Sequence, residues 1–271
     1  MINSMHHNPL TPYQRWVQML LIRIRPAPLA SLLKRVLGNS RIVVSTQQGR
    51  FWIDPASSLG VPLSRDGCYE PGMQKTIEKF LSPGDTFMDL GANEGYFTVI
   101  GAKRCGPRGR VVAIEPQKRL LPVIAENLRI NGVDWANVVN VAVTDSEGIA
   151  TIHLASDINT GSSGLHRSTK YRLPTQQVAA RTLAQVLDEE QLAYVDLMKV
   201  DIEGFEYEAL LGSPDVFRKH RVKALALELH PTILANRKKD TSLITKMLEE
   251  YNYRMTDIFG NTVWIAPERM R

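Results

Sequence analysis

Apolar residues return at helical spacing near the start of the chain, at Tyr13, Trp16, Val17, Leu20, Leu21 and Ile24, with Arg15 and Arg23 on other faces. That period predicts an amphipathic helix, which Pro26 and Pro28 end because proline lacks the N–H that a helix interior needs. Leu29, Leu32, Leu33, Val36 and Leu37 repeat the pattern as far as Gly38. Residues 41–55 then alternate with period two, which predicts a β-hairpin with Gln48-Gly49 at its turn. From Pro71 the rhythm changes to strand and helix in turn. A helix over 71–81 closes at Ser82-Pro83-Gly84-Asp85, a strand over 86–90 leads into a helix over 94–103, and Gly106-Pro107-Arg108-Gly109 turns into a strand over 110–114. A helix through Asn127-Leu128 stops at Asn131-Gly132, before a strand over 138–143.

An irregular insertion over 146–181, with an extra strand pair and the run Thr160-Gly161-Ser162-Ser163-Gly164, interrupts this order. It resumes with a strand over 195–200, a helix over 205–211, a strand over 224–229 and a helix over 240–251. Segments 253–258 and 262–265, joined by Phe259-Gly260-Asn261, read as a closing antiparallel hairpin. Strand–helix alternation with short glycine turns predicts a doubly wound α/β sheet. The antiparallel ending is unlike the dinucleotide-binding fold, whose strands are parallel.

Charge changes the picture at one end only. Residues 1–50 carry seven Lys/Arg and no acid, whereas the remaining 26 basic and 28 acidic residues leave the rest of the chain slightly negative. Basic character confined to an arm argues against a nucleic-acid binder, which would carry it over its main domain. It leaves room for peripheral contact of residues 13–37 with an anionic membrane, or for packing on the domain or on a second subunit in a homo-oligomer. Cys68 and Cys105 form no CxxC, so neither a zinc site nor a disulfide framework is expected. No segment reaches the length of a membrane span and no leader is recognisable, so the expected location is cytoplasmic.

The chemistry gathers at the strand ends. Asp89, Gly91 and Gly95 make a D-x-G-x-x-x-G turn with Glu94 inside it. Two carboxylates there would repel a pyrophosphate and suit a ligand that presents a cation, such as the ammonium and sulfonium of S-adenosylmethionine. Glu115 closes the second strand, where an acid can accept both ribose hydroxyls of an adenosine. Asp145 after the third strand is open to two readings, a partner for the adenine amino group or part of the turn Asp145-Ser146-Glu147-Gly148.

These motifs together resemble the FkbM family of class I S-adenosylmethionine-dependent methyltransferases. The resemblance runs over residues 69–229 and rests on Tyr69-Glu70-Pro71, Ser82-Pro83-Gly84-Asp85, the Asp89–Gly95 turn, Glu115-Pro116, Asn127-Leu128 and the 142–145 segment ending at Asp145. It rests most on the K-[IV]-D-[IV]-E-G-x-E run from Lys199 to Glu206, and on Glu228 and His230. Thr182-Leu183-Ala184 departs from the family, which more often has an acid after the leucine. The resemblance implies a seven-stranded mixed sheet with helices on both faces in a methyltransferase domain over 69–271; residues 1–68, read from their periodicity as an N-terminal helical arm and hairpin, carry little of it. It implies cofactor contacts from Glu70, Asp89, Gly91, Ala92, Asn93, Gly95, Tyr96, Glu115, Pro116, Val143, Asp145 and Asp201.

Catalytic groups of open α/β sheets lie beyond the carboxyl ends of the strands, which selects Asp201, Glu203, Glu228 and His230. Either His230 or Asp201 can serve as general base, or Asp201, Glu203 and Glu228 can hold a magnesium ion that acidifies a hydroxyl. Lys199, inside a buried strand, is expected to pair with a carboxylate such as Glu228, while Glu206 and Glu208 read as a solvated helix face. The family implies O-methylation of a small hydroxylated acceptor, a sugar or natural product, with residues 160–164 as the acceptor-side loop. The rival readings are methylation of RNA or protein anchored by the basic arm, and a non-catalytic cofactor-binding scaffold.

Overall fold

The computed structural model describes residues 10–21, 41–154 and 174–267. The predicted hairpin is present as β1 (Ile42–Ser45) and β2 (Arg50–Ile53), paired antiparallel. Then come β3 (Thr86–Leu90), β4 (Arg110–Ile114) and β5 (Ala136–Val139). A separate three-stranded sheet holds β6 (Val141–Val143), β7 (Gly148–His153) and β8 (Thr175–Arg181). The chain returns to the main sheet with β9 (Val195–Val200), β10 (Val222–Leu227), β11 (Arg254–Ile258) and β12 (Asn261–Ile265). The main sheet has seven strands in the order β11-β12-β10-β9-β3-β4-β5. Its centre is parallel, and β12 runs antiparallel to both neighbours, as the closing hairpin predicted.

Successive strand residues point to opposite faces, and both faces here are apolar. Phe87, Val111, Leu197 and Ala224 face one core, together with Ile77, Val99 and Ile124 from the helices Pro71–Phe80, Tyr96–Cys105 and Leu121–Ile130. Met88, Val112, Met198 and Leu225 face the other, with Val186, Leu210, Phe217 and Leu248 from the helices Leu183–Glu189, Glu206–Leu211, Pro214–Arg218 and Ser242–Glu250. Val44, Phe51, Ile53 and Leu63 belong to the first core, so the hairpin and the helix Gly60–Asp66 are packed into the domain that the sequence division at residue 68 would set apart. Asn127 ties the hairpin down: its amide accepts from Trp52 N–H at 2.6 Å and donates to the Glu94 carbonyl at 2.7 Å.

The strand expected over 138–143 is two strands in different sheets. Asn140, between β5 and β6, donates its side-chain amide to the carbonyls of Glu115 and Pro116, 2.8 and 3.0 Å away. This draws the chain off the edge of the main sheet and over the end of β4. The helix expected to begin at Glu94 starts at Tyr96, because Asn93 and Gly95 take left-handed backbone conformations with φ 51° and 80°. In the N-terminal arm, the helix Pro12–Leu21 buries Val17 and Gln18 and exposes Tyr13, Trp16 and Met19. The second basic helix, near 29–37, and the 160–164 loop lie outside the described residues. No helix among the described residues is long and apolar enough to cross a membrane.

Candidate active site

The turns that leave β3, β4, β6 and β9 at their carboxyl ends border an open cleft, about 640 Å³ when the adjoining solvent is included, lined in part by Gly91, Asn93, Glu115, Val143, Asp201 and Glu203. Gly91 lies where the first and last of these turns cross. Its N–H donates to Ile114, Asp201 N–H donates to Leu90, and a β-carbon on Gly91 would lie 1.8 Å from the Asp201 carbonyl oxygen. Only glycine fits, both for that space and for its φ of 86°.

Glu115 is buried at one end of the cleft. Its two oxygens accept from the backbone N–H of Asn93 and Gln117 at 2.8 and 2.9 Å. Burial raises its pKa to about 7 despite those bonds. The wall around it is apolar, from Ile114, Pro116, Val141, Val143, Ile152 and Phe205. A carboxylate beside an apolar slot matches the two halves of an adenosine, hydroxylated ribose and flat base.

At the other end, Asp201, Glu203 and His230 face one another. His230 Nε2 lies 3.8 Å from Asp201 and 3.6 Å from Glu203, while its Nδ1–H donates to Glu206 at 2.9 Å. The bond to Glu206, reinforced by the charges of Glu206, Glu203 and Asp201, outweighs burial and raises the imidazole pKa to about 9. A raised pKa favours the imidazolium, which donates a proton rather than taking one. Burial raises the Glu203 carboxyl to about 7, against the pull of His230. Glu203 takes a left-handed backbone conformation, φ 53°, as does Asn93, so two of the strained non-glycine residues line the cleft.

Several expected site residues are elsewhere. Asp89 is buried, accepts from Thr98 Oγ1 at 2.7 Å and lies off the cleft lining. Glu94 is turned into the core against Arg41, 2.6 Å away, so the acidity facing the cleft comes from Glu115, Asp201 and Glu203 rather than from the glycine turn. Ala92 and Tyr96 are core residues, and a side chain on Gly95 would meet Ile124. Asp145 is exposed in its turn and is not part of the lining. Glu70 precedes the helix Pro71–Phe80 and is close enough to Lys199 and Glu228 to act on both electrostatically. Glu228 stands exposed at the rim, its pKa raised by partial burial and by Asp201 and Glu70.

The expected partner of Lys199 is corrected too. Its ammonium lies 3.3 Å from Asp201 and 3.9 Å from Asp89, its register partner across β3 and β9, rather than pairing with Glu228. Glu206 and Glu208 are buried, not solvated. Glu206 accepts from Gly204 N–H and His230, and Glu208 pairs with Arg237 at 2.7 Å and Lys239 at 2.9 Å. Arg237 had no sequence signal. It stacks 3.8 Å from the Phe205 ring centroid and bonds the Gly204 carbonyl, so both ends of the helix Pro231–Asn236 grip the turn that carries Asp201 and Glu203.

A doubly wound α/β domain with an antiparallel closing strand, and a cleft that joins a buried carboxylate and an apolar wall to an acidic pocket, has the fold of the class I methyltransferases. The particular family follows from a direct match: the chain belongs to the FkbM methyltransferase family, whose methyltransferase FkbM domain matches residues 89–255. A relative, the AMB antimetabolite synthetase AmbE of Pseudomonas aeruginosa, is 29% identical over an alignment 187 positions long that covers 55% of this chain and 8% of that protein. The chain thus spans less than a tenth of that relative's length. Among solved structures, a SAM-dependent methyltransferase of Aquifex aeolicus is 16% identical with a TM-score of 0.40, over 74% of this chain and 90% of that one. Fibrillarin of Aeropyrum pernix, solved with natively bound S-adenosyl-L-methionine, is 13% identical with a TM-score of 0.38, over 84% of this chain and 82% of its own.

Proposed function

We propose that the protein is an S-adenosylmethionine-dependent O-methyltransferase for a small hydroxylated molecule, a sugar or natural product. One observation carries the reading: the cleft runs from Glu115 and its apolar slot to the Asp201–Glu203 pocket, so a cofactor held by its adenosine at one end has its reactive end at the other. The residues present fit that cofactor. Glu115 would hold the ribose hydroxyls, Ile114, Val143 and Ile152 the adenine, and the Gly91–Asn93 backbone with Asp201 the cationic methionine end. Bound there, S-adenosylmethionine supplies an electrophilic methyl group on a sulfonium.

The chain's own part is to align, exclude water and accept charge. Asp201, fixed by Lys199, and Glu203, fixed by the turn that Arg237 clamps, present carboxylates to an entering hydroxyl and draw off its proton. His230 offers its Nε2–H beside them and steadies that charge. A small-molecule acceptor also suits the relative AmbE, named for antimetabolite synthesis.

Calorimetric titration with S-adenosylhomocysteine, with NADH as control, tests the cofactor. Micromolar binding to the first alone is expected, with loss in Glu115→Ala; tight NADH binding, or unchanged affinity in Glu115→Ala, overturns the assignment. Screening hydroxylated and amine acceptors then decides the atom methylated. The same titration has a pH signature. Ribose hydroxyls donate to the ionised Glu115, whose pKa is about 7, so affinity is full above that value and falls below it. Between pH 8 and pH 6 it should weaken about tenfold, in step with the ionised fraction. A flat profile would show that Glu115 does not hold the ligand.

A further inference from the structure

His230 is held more firmly than steadying charge in methyl transfer requires. Its Nδ1–H is held by a buried carboxylate, Glu206, whose second oxygen is buried with no hydrogen-bond partner. Its Nε2 points between two further carboxylates and is beyond hydrogen-bond reach of both, 3.6 Å from Glu203 and 3.8 Å from Asp201. A histidine fixed at one nitrogen by a carboxylate, with the other aimed at open anionic oxygens, is the arrangement of a metal-ligating imidazole.

The spacing agrees. Donors about 2.1 Å from a small divalent cation lie about 3.0 Å apart at a right angle and about 3.6 Å apart at 120°. The three donor atoms of Asp201, Glu203 and His230 all lie within 4.8 Å of one another, so small side-chain movements bring them to one centre. We propose that Asp201, Glu203 and His230 Nε2 form a binding site for a divalent cation, which displaces the Nε2 proton as it binds, with Glu206 as the residue that orients His230. The donor set differs from the one the sequence suggested, because His230 takes the place of Glu228 among the described residues. Two carboxylates and one imidazole suit a cation of the manganese kind, which accepts oxygen and nitrogen donors together.

Asp201 and Glu203 also line the cleft, so the cation would stand where the acceptor hydroxyl enters. There it would polarise that oxygen and ease loss of its proton. Lys199 remains outside the set, fixing Asp201 from behind. This rests on the acceptor end assigned above, though not on the identity of the acceptor or on turnover.

The full-length protein, stripped with a chelator and dialysed, would be titrated with Mn²⁺ while free Mn²⁺ is followed by electron paramagnetic resonance. One saturable site is expected, lost in Glu203→Gln and in His230→Gln, with thermal melts showing that both variants are folded. Glu206→Gln should weaken Mn²⁺ binding about tenfold or more while leaving S-adenosylhomocysteine affinity unchanged. Absence of a saturable site in the wild type, or equal Mn²⁺ affinity in the wild type and both ligand variants, overturns the proposal. S-adenosylhomocysteine binding without Mn²⁺ binding would sink the cation site alone. Mn²⁺ binding without S-adenosylhomocysteine binding would uphold the cation site and sink the proposed function.

Discussion

Gly91→Ala is expected to abolish cofactor binding. The residue has φ 86° and its added β-carbon would lie 1.8 Å from the carbonyl oxygen of Asp201, a backbone atom that no rotamer change can move. Accommodating a methyl group means separating the turns after β3 and β9 by more than an ångström. That displaces Asp201 and also breaks the bond from Asp201 N–H to Leu90, which holds the two turns together. A misplacement of about 1 Å at a reacting centre costs on the order of a hundredfold, and the left-handed backbone adds about 1–2 kcal/mol against alanine. Turnover should therefore fall at least about a hundredfold, S-adenosylhomocysteine affinity should fall with it, and the melting temperature should be lower. Gly95→Ala is the control. It is also left-handed, at φ 80°, but its β-carbon would meet the Ile124 methyl group at 3.1 Å, and a side chain can give way. Its effect should be visibly smaller. Equal binding by Gly91→Ala and the wild type would mean that the turns are not held as described.

The contrast between these glycines shows where sequence reasoning reaches and where it stops. Both are legible as positions in a strand-to-helix turn, because the apolar period changes there and glycine is the residue that tolerates the turn. Which one faces the cleft is not legible, since that depends on a strand over a hundred residues later in the chain. The strands of the main sheet were readable for a related reason: buried on both faces, they appear as short, mainly apolar runs such as 111–114 and, broken by Asp196 and Lys199, 195–200. The separation of β5 from β6 was not, because it is caused by one side chain, Asn140, reaching two carbonyls on another strand. Charged residues were hardest. Glu94 and Glu206 both looked like groups in solvent or beside a ligand, and both are buried at 0% exposure against partners distant in sequence, Arg41 and His230. Asp201, Glu203 and His230 were nameable because they follow strand ends, but their mutual distances come from the packing of the helix Pro231–Asn236 over the turn.

Lys199→Met should cost the fold more than any other single change at the site. Lys199 is 2% exposed and Asp89 1%, and one oxygen of Asp89 has no hydrogen-bond partner and faces the ammonium at 3.9 Å. Burial opposes charge on both; Asp201 and Asp89 together nevertheless keep the lysine pKa raised, whereas the Asp89 pKa stays raised because burial outweighs Lys199. Methionine fills much the same space beside Phe97 but leaves Asp89 with Thr98 as its one strong partner. Breaking a buried pair from one side costs about 3–5 kcal/mol, which for a chain of this size lowers the melting temperature by roughly 10 °C. The pH dependence has a definite sign. A carboxyl whose folded pKa lies above its unfolded value destabilises once the unfolded chain ionises, so the deficit of Lys199→Met should be largest at neutral pH and shrink as the solution is acidified and Asp89 takes a proton. Thermal melts between pH 5 and pH 8 would check this. Adding Asp89→Asn should recover most of the lost stability, because a neutral amide no longer needs the ammonium. It should not recover turnover, since Asp201 still lacks the lysine that holds it 3.3 Å away at the acceptor end of the cleft. A double variant no more stable than Lys199→Met would refute the pairing of Asp89 with Lys199. Full activity in that double variant would show that Lys199 serves the fold and not the orientation of Asp201.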